Sequence, residues 1–501
     1  MLAVFLSCIA LVAAVGFISR RWWRSDVGAL EAWGLAGRQF GAVITWFLIG
    51  GDFYTAYTLI AVPALVFGVG ASGFFALVYT ILVYPFVFLV MPRLWTVAQS
   101  HGYITLADFV SGCYDNRWLA LAIALSGIAA TVPYIALQLA GMQVAMEALG
   151  PIFGTHASGW PLVAAFALLA AYDFSSGLRA PASIAVVKDV MIYTLVIAAA
   201  VWIPMRLGGY GHIFAAAAHS LAARPVPGYL ILPPTQYLSF ATLALGSALA
   251  AFLYPHMATS VLSARSARTI QRNAIVLPAY TLLLGLVALL GYMAIAAGLH
   301  PANANDVVPL LIVRMFGPHF AGFCLAAIVI GGLVPAAIMA IAAASLFARN
   351  VYHASPRQEA RVAKWASMLI KLGALAFVLS GRITYIINFQ LLGGIWVLQT
   401  LPAIVFGLYR RWLDAPALLA GWTIGTGMGT FMAITRGSVY PLHIGGLNLT
   451  AYAAMDALVV NLAVAAVCQM FLRPLARIQG GGEQPRQTPS SQVKLVVDDS
   501  H

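Results

Sequence analysis

A polar stretch interrupts an apolar run near the amino terminus. Residues 50–58 read GGDFYTAYT, inside a hydrophobic segment that begins near Val43. The stretch places the carboxylate of Asp52 among four hydroxyl-bearing side chains: Tyr54, Thr55, Tyr57 and Thr58. Hydroxyl groups can donate hydrogen bonds to an anionic or keto group, and carboxylates inside a membrane are costly and usually functional. The residue types therefore favour a binding site, although some of the hydroxyls are expected to satisfy the backbone of an interrupted helix.

A second polar stretch lies in another long apolar run. The residues YPHMATS at 254–260 follow Gly246 and place Tyr254, Pro255 and His256 in sequence. An imidazole could bind a carboxylate when it is charged and release it when it is neutral. The simpler interpretation is a histidine that is hydrogen-bonded for packing, and both interpretations stay open. The proline beside the histidine favours a site, because it marks a break in the helix.

The remaining candidate site residues are a tyrosine, two glutamines and an aspartate that follows a lysine. Tyr134 and Gln138 are four residues apart and so share one face of a helix. These two residues and Gln390 are predicted to be secondary contacts of a substrate, or else interhelical hydrogen bonds, because buried amides need partners. Asp189 directly follows Lys188. It either neutralises a neighbouring basic residue or takes part in ion coupling.

The composition places these residues in a membrane. The 501 residues are 62% hydrophobic and 8% charged, with a mean hydropathy of +0.91, whereas soluble domains are about 45–50% apolar and about 25% charged. Runs of roughly 20 apolar residues predict spanning helices. About thirteen spans are predicted, near residues 2–19, 41–67, 73–92, 118–149, 160–176, 182–205, 237–263, 275–298, 320–347, 362–380, 384–409, 415–435 and 451–472.

The net charge of +12 reflects membrane orientation and needs no nucleic-acid partner. Most of the 27 lysines and arginines fall on one side of the membrane if the amino terminus faces outward. The positive-inside rule then predicts an external amino terminus and a cytoplasmic carboxyl terminus. The first apolar run ends in SRRWWR, which favours a retained span over a secretory signal.

The sequence shows no motif for a cofactor or for catalysis. The four cysteines have neither disulfide nor zinc spacing. A phosphate-binding GxxxxGK[ST] motif is absent, as are HExxH and GxSxG. We therefore expect no bound cofactor, no metal site and no enzymatic activity.

The two polar stretches indicate two broken helices. Backbone groups freed from a helix cannot face lipid, so a break at membrane depth must face protein or water. The breaks fall in the second and seventh predicted spans, and each opens a block of five spans, at about 41–205 and about 237–409. Because five is odd, the two blocks enter the membrane from opposite sides. This is the arrangement of inverted-repeat transporters, whose substrate site forms at the midplane between broken helices.

Five separated motifs resemble one family of transporters. They are GGDFYTAYT at 50–58, HGYITLADF at 101–109, VPYIALQLAG at 132–141, SGLRAPASIAVVKD at 176–189 and YPHMATSVLSARS at 254–266. Together they resemble the sodium:solute symporter family, and within it the bacterial permeases for small monocarboxylates. The resemblance implies an all-α integral membrane protein with a LeuT-like five-plus-five core at 38–410. One span would precede the core in residues 1–37, two would follow in 411–475, and 476–501 would form a disordered cytoplasmic tail.

One departure from the family pattern concerns the coupling ion. Sodium-coupled members carry two adjacent hydroxyl residues on the eighth core helix, and those positions match Val334 and Pro335 here. Hard cations prefer oxygen ligands. The sodium site is therefore expected to be incomplete, although the carbonyls of Gly50 and Phe53 match its other half. Asp189 resembles the aspartate that lines the inward ion path of the family.

The resemblance implies a symporter that imports a small monocarboxylate such as lactate, pyruvate or acetate together with a cation. Protons are favoured over Na⁺, and Asp52 and Asp189 would be the best-placed carriers. The alternative is a Na⁺-coupled symporter for a small amino acid or another small solute, with Asp52 facing the amine. A sensory membrane module is less favoured, because only a short tail follows the last span.

Overall fold

The structure is a computed structural model, and it describes residues 1–22, 29–150, 160–225, 227–380, 387–444 and 447–479. The elements are α1 (Leu2–Trp22), α2 (Leu30–Gly34), α3 (Ala42–Gly51), α4 (Val62–Val69), α5 (Phe75–His101), α6 (Leu106–Tyr114), α7 (Arg117–Glu147), α8 (Trp160–Ser176), α9 (Arg179–Arg206), α10 (Tyr210–Ala222), α11 (Tyr237–Ala251), α12 (Pro255–Leu262), α13 (Ala267–Ala296), α14 (Val307–Met315), α15 (Pro318–Leu346), α16 (Glu359–Leu379), α17 (Ile387–Leu398), α18 (Leu401–Tyr409), α19 (Ala415–Arg436), β1 (Val439–Ile444), β2 (Leu447–Tyr452) and α20 (Ala453–Gln479).

Length and composition make this chain a multi-pass membrane protein. Nine of the described helices are long and apolar enough to cross a membrane, or up to eleven spans are present if each bent pair counts as one. The bent pairs are α11 with α12, at 49°, and α17 with α18, at 43°. Two shorter apolar helices, Ala42–Gly51 and Tyr57–Val69, occupy the second predicted span. The total of about thirteen spans stays a prediction.

Helix α15 is the central element of the bundle. Its most apolar segment is fully buried, and the helix packs against α1, α7, α9 and α16. Small residues allow this close packing, which is typical of helix contacts in membranes. A Cβ placed on Gly332 would lie 2.8 Å from Cγ of Met142 and 3.0 Å from the carbonyl oxygen of Gln138. The contact fixes α7, which carries two of the predicted site residues, against the centre of the bundle.

Two backbone bridges tie the first broken span, α3 with α4, to the second, α11 with α12. Before α3, Phe40 pairs in parallel with Ala264, which follows α12, and the amide of Phe40 donates to the carbonyl of Ser263 at 3.2 Å. After α4, Gly70 pairs with Tyr229, which precedes α11. The start of one broken span therefore lies beside the end of the other at both ends. The two spans run in opposite directions, as an inverted repeat requires.

The motif HGYITLADF at 101–109 joins two helices and has a structural role. Thr105 and Asp108 form a capping box at the start of α6, with the Asp108 amide donating to Oγ1 of Thr105 at 3.0 Å. Asp108 also accepts a 2.7 Å hydrogen bond from Nδ2 of Asn350 and pairs with Nε of Arg349 at 2.7 Å. These contacts attach the start of α6 to the π-helical turn Phe347–Val351, which follows α15.

Three elements differ from the sequence prediction. Strands β1 and β2 form an antiparallel hairpin between α19 and α20, where no strand was predicted. The span predicted at 384–409 bends after Leu398, because Pro402 at the start of α18 has no amide hydrogen to continue the helix. Helix α20 continues to Gln479, beyond the predicted start of the tail at residue 476. The rest of that tail, 480–501, lies outside the described residues.

Candidate functional site

The first break covers residues 52–55, and a π-helical turn at Tyr57–Ala61 then leads into α4. Side chains satisfy much of the backbone of this break. The amide of Ala56 donates to Oε1 of Gln138 at 3.0 Å, and the amide of Tyr57 donates to Oγ1 of Thr55 at 3.1 Å. The hydroxyl of Thr58 donates to the carbonyl of Phe53. The two threonines therefore repair the interrupted helix, as one of the two sequence interpretations predicted.

A lysine from α9 caps the carboxyl end of α3. Nζ of Lys188 donates to the carbonyl of Gly51 at 2.5 Å and to that of Tyr54 at 3.2 Å. The same nitrogen lies 3.1 Å from Oδ1 of Asp189, and both charged side chains are fully buried. Of the two sequence interpretations of Asp189, the structure shows pairing with its neighbouring lysine, and it places the pair directly against the break.

The two glycines of the GGDFYTAYT motif are required by close contacts. A Cβ on Gly50 would lie 2.7 Å from Cε2 of the Tyr280 ring. A Cβ on Gly51 would lie 2.8 Å from Nζ of Lys188 and 3.0 Å from Oδ2 of Asp189. These distances are shorter than van der Waals contact, so only glycine lets α3 approach the aromatic ring and the ion pair this closely.

The second break separates α11 from α12 over residues 252–254. The hydroxyl of Tyr254 donates to the carbonyl of Gln390 at 2.8 Å, which attaches the break to α17. The ring of His256 lies 5.4 Å from that of Tyr134 and 5.5 Å from that of Tyr254, measured between centroids. A buried aromatic cluster therefore links α7, the second break and α17.

One hydrogen bond joins the two breaks directly. Oγ of Ser260, on α12, donates to Oδ2 of Asp52 at 2.7 Å. Asp52 is the residue at which α3 ends, and it is 3% exposed. Its second carboxylate oxygen, Oδ1, has no hydrogen-bond partner within the described part of the chain. One oxygen of the carboxylate is therefore fixed by Ser260, and the other could accept a hydrogen bond from a ligand.

Several polar atoms around the breaks are buried and lack a hydrogen-bond partner among the described residues: the hydroxyl of Tyr57, Nε2 of Gln138, Nδ1 of His256 and Oε1 of Gln390. These atoms belong to side chains that are linked by contacts. Gln138 accepts a hydrogen bond from the amide of Ala56, which precedes Tyr57, and the ring of Tyr134 on α7 packs against that of His256. Buried polar groups normally find a partner, so each exception needs an explanation. A polar ligand at the meeting point of the two breaks would provide one.

The structure brings six of the predicted site residues together, whereas Thr55 and Thr58 satisfy the broken backbone. Tyr57, Tyr134, Gln138, Tyr254, His256 and Gln390 surround the meeting point of the breaks. Tyr54 points elsewhere, because its hydroxyl donates to the carbonyl of Tyr280 on α13 at 2.5 Å. It is therefore a contact between helices and not one of the open groups of the site.

Sequence analysis gave Lys188 no role at the break and did not single out Ser260, although both residues hold the site. A lysine inside a predicted span is costly and rare, so the sequence did carry a signal for Lys188. Ser260 follows His256 by one helical turn, but its partner lies 208 positions away in the chain. Nothing in the local sequence indicates that pairing.

Comparison with known proteins agrees with this arrangement. The model of the sodium:solute symporter family matches residues 33–425. The chain belongs to the sodium:solute symporter family. This symporter is 54% identical over 488 residues to the monocarboxylate transport permease protein of Rhizobium johnstonii, with 95% of this chain and 98% of that protein covered. It is also 31% identical over 453 residues to the uncharacterized symporter YodF of Bacillus subtilis, with 88% and 89% covered.

A solved structure supports the fold of this symporter. It is a Na⁺-coupled sialic acid symporter in a substrate-bound, outward-open state, with a TM-score of 0.76 and 16% sequence identity. The alignment covers 94% of this chain and 97% of that one. The family member described here therefore has the LeuT-like fold, and like its relatives it is a transporter and not an enzyme.

The eighth core helix of this symporter does not offer the sodium ligands that the family implies. Val334 and Pro335 are buried on α15 and have no side-chain oxygen. About one turn before Val334, the same helix contacts the turn that follows the first break: a Cβ on Gly331 would lie 3.2 Å from Cδ1 of Leu59. Ser345 donates to the carbonyl of Ile341 within its own helix at 2.8 Å.

The two carbonyls in the other half of the implied sodium site each accept a hydrogen bond within the first break. The carbonyl of Gly50 accepts the amide of Phe53 at 3.0 Å, and the carbonyl of Phe53 accepts the hydroxyl of Thr58. The neighbouring carbonyls of Gly51 and Tyr54 take the ammonium of Lys188. A lysine ammonium therefore lies at the first break beside the carbonyls that the resemblance assigns to sodium.

Proposed function

We propose that this symporter imports a small monocarboxylate, such as lactate, pyruvate or acetate, across the bacterial inner membrane. The observation that carries the proposal is a group of buried polar atoms without hydrogen-bond partners among the described residues, where the two broken helices meet. The main ones are the Tyr57 hydroxyl, Nε2 of Gln138 and Nδ1 of His256, which donates in its Nδ1–H tautomer. A carboxylate has two oxygens that accept hydrogen bonds and no donors, so it complements such a group. The 54% identity to a monocarboxylate transport permease supports the same substrate class.

The donors divide naturally between the two ends of a small acid. The Tyr57 hydroxyl and the Gln138 amide, both at the first break, can donate to carboxylate oxygens. His256 lies across the site on α12 and can donate to a keto or hydroxyl group, or to the carboxylate itself when the imidazole is charged. Oε1 of Gln390 can accept a hydrogen bond from the hydroxyl of a lactate.

For the coupling cation we favour H⁺ over Na⁺. Val334 and Pro335 lack the oxygen atoms that a sodium ion needs, and the carbonyls of the first break are engaged. Asp52 and Asp189 are buried carboxylates beside that break, and both are placed to take part in proton coupling. We also propose that the amino terminus is external and the carboxyl terminus cytoplasmic, from the distribution of basic residues.

A second candidate function has one observation in its favour. Oδ1 of Asp52 has no hydrogen-bond partner among the described residues, and it could face the amine of a small amino acid. In that case the transporter would carry a zwitterion, with Na⁺ as the coupling cation.

Transport by purified protein in proteoliposomes separates these functions. Labelled pyruvate is offered under an inward proton gradient without Na⁺, and then under a sodium gradient at equal pH. We expect accumulation with the proton gradient alone. Uptake only with the sodium gradient would overturn proton coupling. Exchange of labelled alanine, with no exchange of lactate or pyruvate, would replace the monocarboxylate proposal by the amino-acid one.

A further inference from the structure

Lys188 is a fully buried ammonium that the main chain of the first break holds. Its Nζ lies 2.5 Å from the carbonyl oxygen of Gly51, 3.2 Å from that of Tyr54 and 3.1 Å from Oδ1 of Asp189. An ammonium group has three hydrogens, and three oxygens surround it here. Burying such a charge is costly unless it is paired and hydrogen-bonded, so this lysine sits in a built site.

The two carbonyls are available because the helix is interrupted. In a continuous helix each would accept an amide hydrogen from four residues further along. The chain leaves the helix at Asp52, and the carbonyl end of α3 then carries partial negative charge toward α9. Unwound carbonyls and helix carboxyl ends are what broken helices in transporters offer to a cation.

We propose that the ammonium of Lys188 is a built-in cation that takes the place of a dissociable metal ion at the first break. The inference rests on the proposed function, because it specifies the cation of the same transporter. A covalently attached cation cannot cross the membrane with the substrate. Lys188 therefore holds α3 against α9 and balances the nearby carboxylates, and the cation that crosses is a different species.

Neighbouring elements pack closely around the ammonium of Lys188. Asp52 directly follows Gly51 at the end of α3, and the ring of Tyr280 on α13 would lie 2.7 Å from a Cβ on Gly50. Tyr193 on α9 stacks edge-on against Tyr280, with ring centroids 5.3 Å apart. Gly51 has no side chain there because a Cβ would lie 2.8 Å from Nζ. The ammonium of Lys188 and the carboxylate of Asp189 therefore lie directly against the main chain of Gly51.

Chemical rescue provides a direct test with the full-length protein. Lys188→Ala removes the atoms of one propylammonium ion, whereas Lys188→Met fills the same space without charge. Pyruvate counterflow in proteoliposomes and thermal unfolding in detergent are measured with and without propylammonium or Na⁺. We expect counterflow to fall about tenfold or more in both variants. Propylammonium should restore several-fold activity and raise the melting temperature of Lys188→Ala, with no effect on Lys188→Met or the wild type.

Four results would overturn the proposal. They are wild-type counterflow in Lys188→Met, a saturable rise in wild-type melting temperature with Na⁺, uptake by the wild type that requires Na⁺, and a folded Lys188→Ala protein that ignores propylammonium. If Lys188→Ala unfolds on extraction, thermal unfolding in native membranes with propylammonium gives the same comparison. Absence of pyruvate counterflow in the wild type contradicts the proposed function alone, because the thermal measurements need no substrate.

Discussion

The hydroxyl of Ser260 donates a 2.7 Å hydrogen bond to the carboxylate of Asp52. Ser260 lies on α12, in the second broken span, and Asp52 marks the end of α3, in the first. Both side chains are buried, so water does not compete for the bond. A change at either residue therefore acts on the two halves of the inverted repeat at once.

Asp52→Asn should abolish pyruvate uptake while the protein still folds. The amide keeps the size of the carboxylate, but it carries no charge and cannot take part in proton coupling. The measurement is uptake in proteoliposomes under a proton gradient, with size-exclusion elution and melting temperature as the test of folding. Asp115→Asn is the matched control. Asp115 is exposed, and its backbone at the end of α6 is in the left-handed conformation, which asparagine tolerates well. Normal uptake by Asp52→Asn would remove this residue from the site.

His256→Ala should likewise abolish uptake without loss of folding. The ring contacts Tyr134 and Tyr254, and its Nδ1 has no hydrogen-bond partner in the described part of the chain. If His256 binds the substrate, a substrate-binding measurement by calorimetry should show affinity reduced by about tenfold or more, as for a lost charged hydrogen bond. His300→Ala, at an exposed position, should change neither uptake nor affinity. Unchanged binding by His256→Ala would assign the ring to packing.

The parts of the fold that sequence could predict are those that the bilayer dictates. Apolar runs become helices because lipid cannot satisfy free backbone groups, and the same rule makes the GGDFYTAYT stretch a break that faces protein. The reason for the two glycines could not be predicted. Gly51 is required by Lys188, which lies 137 positions away in the chain, and no local pattern encodes that contact.

The hairpin is a different case, because its signal was present in the sequence. Residues 439–452 read VYPLHIGGLNLTAY, with two alternating strands around a Gly-Gly pair, which is a hairpin signature. Most of this segment lies between the spans predicted at 415–435 and 451–472, where an outer loop is predicted. At the site, the predicted groups around His256 do converge, but side-chain direction separated Tyr54 from them, and spacing along a helix did not reveal that direction.

Gly51→Ala should destabilise the transporter. The added methyl group would lie 2.8 Å from Nζ of Lys188 and 3.0 Å from Oδ2 of Asp189, so the ion pair must move. Overpacking of this kind typically costs about 1–3 kcal/mol. The measurement is the melting temperature in detergent, together with pyruvate counterflow, and both should fall.

Gly427→Ala is the control for that substitution. Gly427 lies within α19, and a Cβ there would meet no atom within 4 Å. Alanine in an open helical position is expected to be neutral or stabilising by about 0.5–1 kcal/mol. Equal melting temperatures for the two variants would contradict the close contact at Gly51.

Tyr452→Phe should loosen the hairpin from the core. The Tyr452 hydroxyl donates to the carbonyl of Leu391 on α17 at 2.7 Å. The Tyr452 ring packs against Gly246 on α11, where a Cβ would lie 2.7 Å from Cδ1 of the ring. Loss of this buried hydrogen bond should cost about 1 kcal/mol of stability. Limited proteolysis of the hairpin should become faster, whereas Tyr237→Phe, at an exposed position, should leave it unchanged. Equal proteolysis rates for both variants would show that the hydroxyl does not hold the hairpin.

Restoring the two hydroxyl residues on α15 should create sodium binding only when Lys188 is absent. Val334→Ser with Pro335→Ser adds two hydroxyl oxygens at the positions that the family resemblance assigns to sodium ligands, but the ammonium of Lys188 still contacts the carbonyls of Gly51 and Tyr54. We therefore expect no Na⁺-dependent rise in melting temperature for this double variant. Adding Lys188→Ala frees the carbonyls, and a saturating Na⁺ concentration of about 100 times Kd should then stabilise the protein by about 2.7 kcal/mol. Stabilisation of the double variant by Na⁺ would show that the lysine and the metal ion do not compete for one place.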